Sequence, residues 1–171
     1  MNLKIVSKGH GKIGNIIHLS QGLSIDSEIY LIKENKEILL GFINHSLLIL
    51  FVTEFAEWAL QNYSNQNYTK SKTHEAELCI SLIKKWIEDN DSVSRKELTA
   101  AANAVYYTAN SPYNAVYYAA KATDYSIASE YSSYAAYAAA GVSGKNKNQE
   151  LERQGRFILD YLSSNIWLFN L

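Results

Sequence analysis

Residues 100–140 read AAANAVYYTANSPYNAVYYAAKATDYSIASEYSSYAAYAAA, a stretch with fifteen alanines, nine of the chain's thirteen tyrosines, one proline and no leucine. Alanine is the strongest helix former, and its methyl lets neighbouring helices approach to the short end of the usual ~8–10 Å spacing. Tyrosine fills the remaining gaps with a ring and keeps its hydroxyl for a rim or a buried acceptor. Such a stretch makes a tight helical bundle, not a catalytic loop. Pro112 suits the first turn of a helix capped by Ser111, which is expected to run to Ala140 and to end at Gly141. One stripe of that helix holds Val116, Ala120, Ile127, Tyr134 and Ala138; another, roughly opposite, holds Tyr118, Ala122, Tyr125, Ser129 and Ala136. With no wide polar face, it is expected at the centre of the bundle. The pentapeptide Asn-Ala-Val-Tyr-Tyr occurs at 103–107 and again at 114–118. Pro112 breaks the phase between the copies, so they read as local duplication and not as a coiled coil.

Helical periodicity extends on both sides. Ser94-Arg95-Lys96-Glu97 is a capping box opening a helix that buries Leu98, Ala101, Ala102, Val105 and Ala109. Ala76, Cys79, Ile80, Ile83 and Ile87 keep helical spacing over about Thr73–Asp89. The stretch from about Asn44 or Ser46 to Asn62 is apolar on most faces, which predicts a buried helix, and a last helix covers about Gln149–Ser163. Residues 1–33 differ: the apolar runs Leu3–Val6, Ile16–Leu19 and Ile29–Ile32 are separated by Gly9, Gly11, Gly14 and Gly22, which reads as short strands and turns. The expected fold is therefore mainly α. It is a single-domain bundle of about five helices with a central Ala/Tyr-rich helix and a short N-terminal β-hairpin or small antiparallel sheet. Its parts are a β-like segment (1–33) packed on the bundle, the bundle itself (44–163) and an apolar tail (164–171).

At 171 residues one domain is the default. Sixteen basic and seventeen acidic side chains give a net charge of −1, which argues against a nucleic-acid partner. Residues 44–91 are the acidic third, with Glu54, Glu57, Glu75, Glu77, Glu88, Asp89 and Asp91 against four lysines. The lone Cys79 excludes an intramolecular disulfide and fits a reducing compartment. The most apolar region, Ile38–Leu60, is broken by Asn44, His45, Ser46, Thr53, Glu54 and Glu57 and cannot span a membrane. A soluble, cytoplasmic protein without membrane partners is expected.

Catalytic motifs are weak. Gly9-His10-Gly11-Lys12-Ile13-Gly14 has dinucleotide-fingerprint spacing, but strand-like residues follow where a helix must open, so hairpin glycines are the better reading. His74-Glu75-Ala76-Glu77-Leu78 has Leu78 where a second zinc-ligating histidine belongs. His10, His18, His45 and His74 are scattered, and no metal or cofactor is expected. Cys79 lies on an apolar stripe and reads as buried and inert. Asp124 and Glu130 on the Ala/Tyr helix need partners if they approach the core. With Lys121 three residues before Asp124, they read as an internal polar clasp and not as an acid–base pair.

Several features, taken in order, carry a family resemblance. They are Asn44-His45-Ser46-Leu47-Leu48-Ile49-Leu50-Phe51, Phe55-Ala56-Glu57-Trp58-Ala59-Leu60, the helix ending Lys85-Trp86-Ile87-Glu88, the Ser94–Glu97 box, the paired Ala/Tyr helices, and Gln149 to Leu162 with its Glu-Arg-Gln start. The chain from Asn44 to Leu162 resembles the alanine-rich, all-helical immunity proteins of bacterial polymorphic toxin systems, the class numbered five. The resemblance implies a non-enzymatic inhibitor that binds a cognate toxin protein and occludes its active site, and it brings no catalytic residues. On that expectation exposed tyrosines anchor the partner, and Glu75, Glu77, Glu88, Asp89 and Asp91 orient it. The alternative is a helical adaptor or homo-oligomerising module, using the N-terminal segment and the Trp167–Phe169 tail. An enzyme using Asp124 or Glu130 ranks below both, because no nucleophile, base and orienting group share a recognisable spacing.

Overall fold

A computed structural model of the chain describes residues 2–7, 10–13, 16–64, 70–107 and 111–164. Their order is β1 (Asn2–Ser7), β2 (His10–Ile13), a 3-10 turn (Ile16–Gln21), β3 (Ser27–Lys33), β4 (Lys36–Phe42), α1 (His45–Tyr63), α2 (Lys70–Glu88), α3 (Arg95–Val105), α4 (Pro112–Lys121), a 3-10 turn (Tyr125–Ile127), α5 (Ala128–Gly141), a 3-10 turn (Gly144–Asn146) and α6 (Lys147–Ser164). The chain is mainly α with a small antiparallel sheet at its N-terminus, as expected.

The sheet has four strands in the order β2-β1-β3-β4. It extends past the expected boundary at residue 33, because β4 pairs antiparallel with β3 from Lys33↔Lys36 to Glu28↔Phe42. The connecting Glu34 and Asn35 both have positive φ, 50° and 63°. That is the pair of left-handed residues a tight two-residue hairpin turn requires. The run Ile16–Leu19 is a 3-10 turn, not a strand. Its Leu19 is fully buried, and Ser20 Oγ donates to Gln154 Oε1 of α6 at 2.6 Å. This turn rests on α5 and α6 and fastens the sheet to the bundle. His10–Ile13 is strand paired with β1, and the segment after the glycine-spaced motif is the 3-10 turn and not an α-helix. Gly9 and Gly14 lie outside the described residues.

Helix α1 starts where Asn44 Oδ1 accepts from Leu47 N at 2.8 Å. It is flanked by α2, α4 and α5 and buries Leu48, Ile49, Phe51, Val52, Phe55, Ala56, Ala59 and Leu60. The Ser94–Glu97 capping box forms as expected. The Ala/Tyr segment lies mid-bundle, but the expected single helix from Pro112 to Ala140 is two helices packed as a hairpin. The break lies at Thr123–Ser126, where two side chains, those of Thr123 and Asp124, bond the backbone locally. Thr123 Oγ1 donates to Ala120 O at 2.6 Å, and Asp124, with extended ψ of 111°, accepts from Ser126 N at 3.2 Å. Such local bonds compete with the helical ladder and win over alanine propensity. The two expected stripes therefore do not continue across the break: Val116 and Ala120 are buried, whereas Tyr125 and Tyr134 are exposed. Ala109 and the tail from residue 165 onward lie outside the described residues; Ser164 ends α6.

The inner faces of α4 and α5 are alanine: Ala115, Ala119, Ala120, Ala135, Ala136 and Ala139 are all buried. Ala120→Leu should therefore overpack this layer and lower stability by about 1–3 kcal/mol in a denaturant titration. A neutral result would place Ala120 outside the tight contact.

Candidate protein-binding surface

Once alanine occupies the inner faces of α4 and α5, most of the tyrosines between them are turned toward the rim. Tyr106, Tyr117, Tyr118, Tyr131 and Tyr134 form a continuous series of ring contacts. Their centroids are 4.9 Å apart for Tyr106–Tyr117, 5.2 Å for Tyr117–Tyr118, 5.9 Å for Tyr118–Tyr131 and 5.7 Å for Tyr131–Tyr134. The geometry is edge-on or tilted, as the ring quadrupole favours. Tyr117, Tyr118 and Tyr131 are half-buried, while the ends of the strip, Tyr106 and Tyr134, are 57% and 45% exposed. Tyr106 and Tyr117 are equivalent positions of the repeated pentapeptide. The first copy leaves the helix at Tyr106, whose ψ is 132°, and the second stays helical, which brings the two rings together.

The strip is polar at its edge without being charged. Burial raises the pKa of Tyr117, helped by the neighbouring tyrosines. The hydrogen bond to Glu130 raises that of Tyr134. Both phenols thus stay protonated donors at neutral pH. Tyr113 is the exception to the outward pattern. It is fully buried, and its Oη lies 3.0 Å from Thr73 Oγ1, tying α4 to α2.

The five acids expected to orient a partner fall into two groups. Glu75 and Glu77 sit in the first half of α2, Glu88 ends it, and Asp89 and Asp91 follow in the turn. Thirteen residues of helix put Glu75 and Glu88 about 20 Å apart. Glu75 pairs with Lys72 at 3.1 Å, and Glu77 lies 4.0 Å from His74 Nδ1. Glu88, Asp89 and Asp91 are exposed, and Asp89 Oδ1 accepts from Asp91 N at 3.1 Å.

Lys121, Asp124 and Glu130 do not form an internal clasp. Asp124 sits at the turn between α4 and α5, where it caps Ser126 and pairs with Arg95 of α3, not with Lys121. Glu130 is exposed and accepts from Tyr134 Oη one turn on, at 2.7 Å. The helix break at Thr123–Ser126 moves both carboxylates out of a continuous central helix. Cys79 is fully buried, and burial pushes its thiol pKa up to about 12, so it is not a nucleophile. His45 has a structural role: its Nε2 lies 3.0 Å from Ala122 O, and its ring meets Trp86 and Tyr125 edge-on. Among the described residues no group of three or more His, Cys, Asp or Glu side chains could hold a metal ion. Among them, too, no helix is long and apolar enough to cross a membrane.

The sequence points to tyrosines mostly in the core with a minority at the surface, whereas of the nine in residues 100–140 only Tyr113 is buried, because the alanine contacts leave little room for rings; the repeated Tyr-Tyr pair was the available signal. Comparison with protein-family models, with curated proteins and with solved structures gave no match.

The carboxyl pKa of Asp124 is held below its ordinary 3.8, chiefly by the Ser126 hydroxyl and also by Arg95. Its stabilising contribution is thus complete above 3.8 and is lost as pH falls through the lower folded value. Asp124→Ala should cost about 1 kcal/mol at neutral pH, as loss of a cap does. In urea titrations the gap to the wild type should narrow below pH ~4. A gap independent of pH would assign the effect to packing.

Proposed function

We propose that this chain is a non-enzymatic immunity protein that binds a cognate bacterial toxin domain and occludes its active site, with the tyrosine strip as its anchor. The observation that carries the reading is the strip itself. Five rings in a continuous chain of contacts, from the residue after α3 across α4 to α5, present a large, amphipathic face at low entropic cost, the composition in which binding hot spots are enriched. The resemblance of residues 44–162 to alanine-rich immunity proteins supplies the partner class. The exposed acids Glu88, Asp89 and Asp91 would complement a basic groove, such as that of a nuclease.

A second reading, an oligomerising or adaptor module, is favoured by β4. It is the last strand of the sheet among the described residues and exposes Ile38, Leu39 and Phe42. Strand edges of this kind recruit further strands.

Co-expression should protect a cell from a toxin encoded beside this gene, and active toxin should be recovered after the complex is denatured. Covalently altered toxin would contradict occlusion. Replacing Tyr106 and Tyr134 together by alanine should weaken the complex by roughly tenfold or more while leaving the fold intact. Unchanged affinity, measured by calorimetry, would exclude the strip.

Reversing Glu88, Asp89 and Asp91 to lysine should slow association and flatten its salt dependence with little effect on folding. An association rate unaltered across a salt series would reduce these acids to solubilising a helix end.

A further inference from the structure

On the α1–α6 side of the bundle, Arg153 is held in an unusual setting. Its Nε and Nη2 donate to the two oxygens of Glu150 at 2.7 Å each, and its guanidinium carbon lies 4.3 Å from the centre of the Trp58 ring. Glu150 is only 3% exposed and also accepts from Gln154 Nε2 at 3.2 Å. Gln154 is itself fixed by Ser20 Oγ at 2.6 Å and by Ala136 O at 3.1 Å. A buried carboxylate is costly, and here its charge is matched by one guanidinium fixed in one orientation. Only one edge of the Arg153 fork is used. The Nη1 side finds no acceptor among the described residues, although Arg153 lines a cleft of about 240 Å³ with Trp58, Tyr63, Asn146 and Gln149.

Each wall of that cleft offers a matching function. The unused guanidinium edge is a bidentate donor for a carboxylate. The amides of Asn146 and Gln149, with no partner among the described residues, can donate to the same group. Trp58 and Tyr63, 5.7 Å apart, offer aromatic surface for a ring. The volume lies below the ~300–1,000 Å³ of drug-sized pockets, which limits the occupant to one ring or one side chain. We infer that this cleft binds a carboxylate carried next to an aromatic ring, with Arg153 as the anion receptor, Glu150 as its buried positioning residue and Trp58 as its platform. The carboxylate could belong to a free aromatic acid or to a chain ending in phenylalanine. The site is independent of the tyrosine strip.

The test uses benzoate and its neutral isostere benzamide, read on the indole N–H resonance assigned to Trp58 by comparison with Trp58→Phe. Benzoate should shift that resonance saturably, with half-saturation roughly millimolar for so small a ligand, and benzamide should not. Arg153→Lys keeps the charge beside Glu150 but loses the fork, and should weaken benzoate by about tenfold. Equal shifts from benzamide, or no saturable shift from benzoate, would overturn the inference whether or not the lysine variant folds. Acetyl-Gly-Phe with a free carboxylate, compared with its C-terminal amide, separates the two sources. Tighter binding of the free acid than of benzoate identifies a chain terminus, and binding of benzoate alone identifies a small acid.

Discussion

The fold depends on how closely α4 and α5 can approach one another and α1. Leucine-sized side chains would hold these helices further apart; the methyls of Ala115, Ala119, Ala135, Ala136 and Ala139, with Ala56 and Ala59 on α1, remove that barrier. Close approach has a second effect. It leaves little interior volume for rings, so apart from Tyr113 the tyrosines of these two helices reach the rim, where Tyr117, Tyr118, Tyr131 and Tyr134 meet one another. The aromatic surface is thus a consequence of the alanine core.

On the proposed reading that surface serves recognition. Its half-buried rings are already ordered by their neighbours, and its exposed ends, Tyr106 just past α3 and Tyr134 on α5, are held by the same core. Binding then orders few additional side chains. The two carboxylates of this region have local structural partners. Asp124 shapes the turn between α4 and α5, and Glu130 holds Tyr134 on the strip.

Helix starts were legible because their chemistry is local. Asn44, Ser94 and Ser111 cap α1, α3 and α4 as their positions imply. The break at Thr123–Ser126 was not, because alanine propensity summed over a long window outweighs a single Asx turn until both bonding partners of Asp124 are seen. Strand β4 was hidden for a different reason. Its Ile38-Leu39-Leu40 begins an apolar run that continues into α1, and a short apolar run does not distinguish strand from helix. The Glu34-Asn35 turn that sets it off lacks glycine. The acids expected to act together were adjacent in composition only; helical rise places Glu75 and Glu88 about 20 Å apart. The Arg153 site could not be read at all, since Trp58 is distant in sequence and meets it only through the packing of α1 on the start of α6.

The central claim is that Tyr106, Tyr117, Tyr118, Tyr131 and Tyr134 form the surface a toxin covers. Hydroxyl-radical footprinting of the chain, free and bound to the toxin encoded beside it, tests this most directly. Oxidation of Tyr106 and Tyr134 should fall sharply in the complex while that of Tyr125, exposed on the turn beside His45, stays constant. Unchanged oxidation of Tyr106 and Tyr134, with protection at Phe42 and Leu39 instead, would contradict the account and place binding on the β4 edge.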